Sequence, residues 1–89
     1  MASRELSIIN EKGLHARAAA KLVEVVEGCD ATAVVSKDGL DASGDSIMGL
    51  LMLAASKGTS IEVATSGPEA DKLAEALQAL VADRFGEDF

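Results

Sequence analysis

Residues 13–28 read GLHARAAAKLVEVVEG, and the way this stretch is parsed decides the fold. From Ala16 to Glu27 the apolar residues Ala19, Leu22, Val23 and Val26 recur at helical spacing. Arg17, Lys21, Glu24 and Glu27 occupy the opposite side. That pattern predicts an amphipathic helix over 16–27, with Gly28 as its stop. A helix with one apolar stripe needs a surface to bury it against, and the flanking segments supply one.

On the N-terminal side, RELSIIN (4–10) is rich in β-branched residues and predicts a first strand. On the C-terminal side, DATAVVSK predicts a second strand. Asp38-Gly39 is a two-residue hairpin signal that returns the chain into a short third strand near Leu40–Ala42. A second helix starts around Ser46 and runs through IMGLLMLAA (47–55). SKGTSIEVATS then supplies a turn and a fourth strand, with Ile61 and Val63 on one side. Gly67-Pro68 opens a last helix with Pro in its first turn, where the missing N–H costs little. Ala70, Leu73, Ala74, Leu77, Leu80 and Val81 form its buried stripe.

The order β-α-β-β-α-β-α is solved most economically by an α+β open-faced sandwich, a four-stranded antiparallel sheet with three helices on one face. No repeat, linker or low-complexity segment interrupts the 89 residues, so 1–89 is expected to be one domain. A domain this small buries roughly 60% of its unfolded surface, enough for one core but not for a deep cavity as well. Only Phe85 and Phe89 are aromatic, so the interior is expected to consist of Ala, Val, Leu, Ile and Met.

Charge and composition exclude several functions. Fifteen acidic against eight basic residues give a formal charge of -7, with no basic stripe to attract nucleic acid or an anionic membrane. The opening MASRELSIIN resembles neither a signal peptide nor a membrane span. Cys29 is alone, which rules out an intrachain disulfide and suits a reducing cytoplasm; no role is assigned to it. One Cys and one His do not make a closed zinc site, and no calcium-loop spacing is present, so no metal or cofactor is expected.

The single histidine, His15, falls where the cap of the first helix belongs. A helix N-terminus presents unpaired N–H groups and a partial positive charge, and it binds anions. Arg17 can bring its guanidinium to the same spot. That helix end favours a neutral ring, whose free nitrogen lone pair is a nucleophile. From the residues alone, His15 is either a phosphoryl-accepting nucleophile or an incidental surface histidine. The apolar run 47–55 poses a second question, because a helix can bury only one side against a sheet. With Ser46 as cap, Leu50, Leu53 and Ala54 share one face while Ile47, Met48 and Leu51 lie on another, which predicts an exposed docking patch.

GLHARAA at 13–19 followed by SIMGL at 46–50, in this order of elements, resembles the HPr family. These are phosphocarrier proteins of the bacterial phosphoenolpyruvate-dependent phosphotransferase system, and the resemblance covers nearly the whole chain. It implies that His15 takes a phosphoryl group on Nδ1 from phosphorylated enzyme I and hands it to an enzyme IIA-type acceptor. It implies that Arg17 steadies the phosphate, and that Ser46 matches the family's regulatory serine, the target of an HPr kinase/phosphorylase. Ile47, Met48 and Leu51 match the docking surface, extended by Ala20. A cytoplasmic monomer that is not a self-sufficient catalyst is expected.

Three features depart from many relatives. Ala18 stands where proline is common, Asp45 precedes Ser46 where several carry a base, and Glu24 and Glu27 replace lysines of some sugar-transport members. With the SKGTSIEV segment and the acidic RFGEDF tail, these lean towards the regulatory, nitrogen-type branch. Two competing classes follow from the residues: a small ligand-binding or regulatory module in which His15 is incidental, and a hydrolase using His15 as nucleophile. The hydrolase lacks a visible general acid or water-activating partner beside the histidine.

Overall fold

Alternating burial along the strands and three-to-four periodicity in the helices produce the expected layers. The structure, a computed structural model, describes residues 2–88. Its elements are β1 (Ala2–Ser7), α1 (Ala16–Glu27), β2 (Thr32–Lys37), β3 (Leu40–Ser43), α2 (Ile47–Met52), β4 (Ser60–Ser66) and α3 (Ala70–Ala82). A 3-10 turn at Arg84–Gly86 follows. The strands form one sheet in the order β1-β4-β2-β3, and every neighbouring pair is antiparallel. β4 therefore lies between β1 and β2, which run in the same direction and are joined by α1. Leu6 faces Ile61, and Val35 faces both Val63 and Ala42, giving the sheet one apolar side. These residues are buried with Leu22, Leu50, Leu73 and Leu77 from the helices. Glu5, Glu62, Thr32 and Ser43 face outward and are exposed, so the other side of the sheet is bare.

α1 keeps its sequence-predicted limits, with Ala18, Ala19, Leu22, Val23 and Val26 buried. Gly28 ends it in a right-handed conformation, its N–H donating to the carbonyls of Glu24 and Val25. The β2–β3 hairpin turns through Asp38 and Gly39, both at positive φ (51° and 83°), as a two-residue turn matching strand twist requires.

Several expectations are corrected. β1 starts at Ala2 and stops at Ser7; Ile8 still exchanges backbone bonds with Gly58 and Thr59, and the chain then turns into the loop before α1. α2 ends at Met52 instead of running to Ala55. There Ala54 turns to φ 52° and the Ala55 carbonyl accepts the Leu14 N–H at 2.8 Å, a tertiary bond that a continuing helix would lose. Ala54 is consequently exposed and does not share the buried face of Leu50 and Leu53. Pro68 precedes α3 instead of entering its first turn, since Gly67 at φ 111° packs against Ala31 and delays the helix to Ala70. Leu80, in the α3 stripe, is only half-buried.

The last correction concerns the core. Phe85 is the largest fully buried side chain, whereas Met48 and Met52 are 73% and 76% exposed. The chain reaches this arrangement through three successive left-handed residues, Arg84, Phe85 and Gly86. That conformation costs about 1–2 kcal/mol at each of the two non-glycine positions. Burying a Phe returns about 1.5–3 kcal/mol, so the two effects nearly cancel. Polar bonds made by the tail therefore decide whether it stays folded back, and one of them is Lys21 Nζ donating to the Phe85 carbonyl at 2.6 Å. Met1 and Phe89 lie outside the described residues.

Candidate functional site

The loop between β1 and α1 is fixed by its own backbone. Gly13 adopts φ 64°, and a Cβ there would lie 2.5 Å from the Ala55 carbonyl oxygen, so only glycine fits without movement. Asn10 is fully buried and donates from Nδ2 to the Gly13 carbonyl at 2.8 Å. Leu14 is buried beneath the loop. These bonds deliver His15 to the N-cap of α1 in an extended conformation (φ -85°, ψ -178°). Its side chain makes no cap bond. The N–H groups of Ala16, Arg17 and Ala18 consequently have no backbone or side-chain partner among the described residues.

The imidazole is 26% exposed and held from one side. Nε2 is hydrogen-bonded to Oε2 of Glu87, a residue 72 positions away in sequence. The other oxygen of Glu87 accepts from Asn10 Nδ2 at 2.8 Å. Nδ1 has no partner among the described residues. Burial raises the Glu87 carboxyl, but hydrogen bonds from Asn10 and His15, with the positive charges of His15 and Lys12, outweigh it and hold the group below the usual glutamate range. Beside this pair, Lys12, Arg17 and Lys21 line an open cleft of about 250 Å³ bounded by Gly86, Glu87 and Asp88. Arg17 is exposed and makes no hydrogen bond among the described residues. A wider depression of about 530 Å³ lies near the β2–β3 hairpin, lined by Glu5, Asp38 and Glu62 among others; it holds no site residue.

Ser46 caps α2, and its Oγ accepts from the Gly49 N–H at 3.1 Å. Ile47 and Met48 are exposed on this helix, Leu51 is half-buried against the core, and Ala20 is half-buried on α1. The exposed apolar face extends to Met52, which the sequence reading did not include because the helix was drawn too long. Sequence reading also missed Asn10, Lys12, Lys21 and Glu87; only the acidic character of the tail hinted at the last. No group of three or more His, Cys, Asp or Glu is arranged to hold a metal among the described residues. Among the described residues no helix is long and apolar enough to cross a membrane.

The chain is thus a small open-faced α+β domain that carries its one histidine at an open helix N-terminus beside an exposed apolar helix. A family profile described as "PTS HPr component phosphorylation site" matches residues 2–83. The chain is 42% identical over 87 residues to the phosphocarrier protein HPr of Cupriavidus necator, covering 98% of each. It is 40% identical over 84 residues to the phosphocarrier protein NPr of Escherichia coli K12, covering 93% of each. The crystal structure of HPr-C-His from Thermoanaerobacter tengcongensis superimposes with a TM-score of 0.94 at 31% identity, covering 100% of both chains. The chain belongs to the HPr family of histidine phosphocarriers of the phosphotransferase system. The likeness to NPr is consistent with the leaning to the nitrogen-type branch.

Proposed function

We propose that His15 is the phosphoryl acceptor, charged by phosphorylated enzyme I and discharged to an enzyme IIA-type protein. One observation carries this reading: Nδ1 is open at a helix end whose three N–H groups are unpaired, while Nε2 is occupied by Glu87. The Nδ1 lone pair attacks phosphorus, an N–P bond forms, and the donor's N–P bond breaks with its electron pair returning to the donor ring. The N–H groups of Ala16, Arg17 and Ala18 and the partial charge of α1 then face the new oxygens. Arg17 supplies a guanidinium for the same phosphate. A proline at position 18 would remove one of these donors.

Ile47, Met48, Leu51 and Ala20 form the docking face in this reading, with Met52 at its edge. A phosphate on Ser46 would stand at the cap of α2, tolerated by the helix end yet placed inside the apolar face, so it would weaken docking to enzyme I. The neighbouring Asp45 disfavours a kinase that reads a basic residue before the serine and leaves Ser46 modification to one that tolerates acid. Exposed Glu24 and Glu27 give the rim of the face a negative field, which suits a partner with basic residues at the corresponding rim. The whole chain acts as one cytoplasmic domain and as a monomer.

Incubation with phosphoenolpyruvate and purified enzyme I of the sugar and nitrogen types, followed by intact mass measurement, tests the proposal. One acid-labile phosphoryl group, absent from His15→Ala, is expected. No adduct with either active enzyme would reject the carrier reading and leave a non-catalytic module.

A further inference from the structure

We propose that Glu87 is a positioning residue: its carboxylate fixes the tautomer of His15 that leaves Nδ1 as the nucleophile, and it balances the charge of the ring once the phosphoryl group has arrived. The inference rests on the carrier reading for its second half; the first half stands on geometry alone.

A histidine with its two ring nitrogens equally solvated divides its proton between them, and only the form with a bare Nδ1 can attack from that atom. Here the partners of the ring are unequal. An ionised carboxylate can only accept, so the bond between Glu87 Oε2 and His15 Nε2 requires the proton on Nε2. Nδ1 is left with its lone pair outward. The carboxylate is itself oriented, because its second oxygen accepts from Asn10, whose side chain is fully buried and also holds the loop at Gly13. The tail that carries Glu87 is anchored by Phe85 in the core and by Lys21 on its carbonyl.

Charge follows the same line. When Nδ1 bonds to phosphorus and the donor's N–P bond breaks, the proton on Nε2 stays where it is, and the ring becomes a phosphorylated imidazolium. The Glu87 carboxylate then faces a cationic ring, a stronger charge-assisted bond than before. In the onward step the N–P bond breaks, its electron pair returns to Nδ1, and the acceptor's nitrogen gains the phosphoryl group. No proton needs to leave or enter His15 in either direction. The charged groups around the ring are Glu87 and Asp88 from the tail, Lys12 from the loop, and Arg17 and Lys21 from α1. The tail that carries Glu87 lies beyond residue 83, where the family profile ends.

Nitrogen-15 spectra of the His15 ring in the full chain, recorded for the parent and for Glu87→Ala and Glu87→Gln, decide the first half. The parent is expected to carry its neutral-ring proton on Nε2. Glu87→Ala is expected to mix both tautomers, and Glu87→Gln to retain the parent form through its amide oxygen. Glu87→Ala is further expected to slow phosphorylation by enzyme I about tenfold, with Glu87→Gln between the two. The phosphohistidine of both variants should release its Nε2 proton at lower pH than the parent's. Thermal unfolding should place Glu87→Gln close to the parent at neutral pH and Glu87→Ala modestly below it, because the tail keeps Phe85 and the Lys21 bond but loses its bonds to Asn10 and His15. A tautomer unaltered in Glu87→Ala would overturn the proposal, and a shifted tautomer with unchanged transfer rate would overturn its second half. If the parent accepts no phosphoryl group at all, the carrier reading fails, while the ring spectra still decide the positioning.

Discussion

The N-termini of α1 and α2 both begin at an extended cap residue and are finished in opposite ways. At α2, Ser46 closes the end with its own side chain, accepting the Gly49 N–H. At α1, His15 occupies the equivalent position, turns its ring to the tail instead, and leaves three donors open. A helix end that caps itself contributes stability, whereas one left uncapped forgoes it and keeps an anion site. The difference separates a terminus closed by its own side chain from one whose donors stay open.

The comparison can be broken at several points. The largest effect on stability is expected at Gly13→Ala, which forces a Cβ against the Ala55 carbonyl in a left-handed conformation. A loss of at least about 2 kcal/mol should appear in urea denaturation, with weaker phosphoryl acceptance as the loop moves. Ser46→Ala removes the α2 cap and should cost about 1 kcal/mol while phosphorylation by enzyme I continues. A cost near zero would show that the tertiary contacts of α2 make its cap redundant.

His15→Ser sharpens the contrast by giving α1 the cap it lacks. A serine cap contributes about 1 kcal/mol, partly offset by the lost bond to Glu87, so a net gain of about 0.5 kcal/mol is expected together with complete loss of phosphoryl acceptance. A destabilised variant would mean that the tail contact outweighs the uncapped helix end. The smallest effect is electrostatic. Because the folded-state carboxyl of Glu87 lies below its unfolded value, its stabilisation is present above the usual glutamate range and is lost as pH falls through the lowered value. Unfolding midpoints measured from neutral to acid pH should therefore fall less steeply in Glu87→Gln than in the parent.

The legible parts of this molecule are the local ones. α1 was readable to its ends because its stripe and its stop lie within one stretch, and the Asp38-Gly39 hairpin because those residue types suit positive φ. The end of α2 was misread where a tertiary bond, Leu14 to Ala55, overrode the local pattern, and the end of β1 where Asn10 turns inward to hold the loop at Gly13. At the site, His15 and Ser46 were recognised as caps from their neighbours, and Ile47 and Met48 as exposed because one sheet covers only one side of a helix. Leu51 was grouped with them, but its half-buried side chain also packs on the core.

By itself the sequence determined the element order, the apolar face of each helix and the residue at each helix mouth, since periodicity and capping act over a few residues. Only the tertiary structure decided that Phe85 enters the core and that Glu87 meets His15. A contact across 72 positions depends on where the last helix points the chain, and that direction comes from the packing of α3 on the sheet and not from any local pattern.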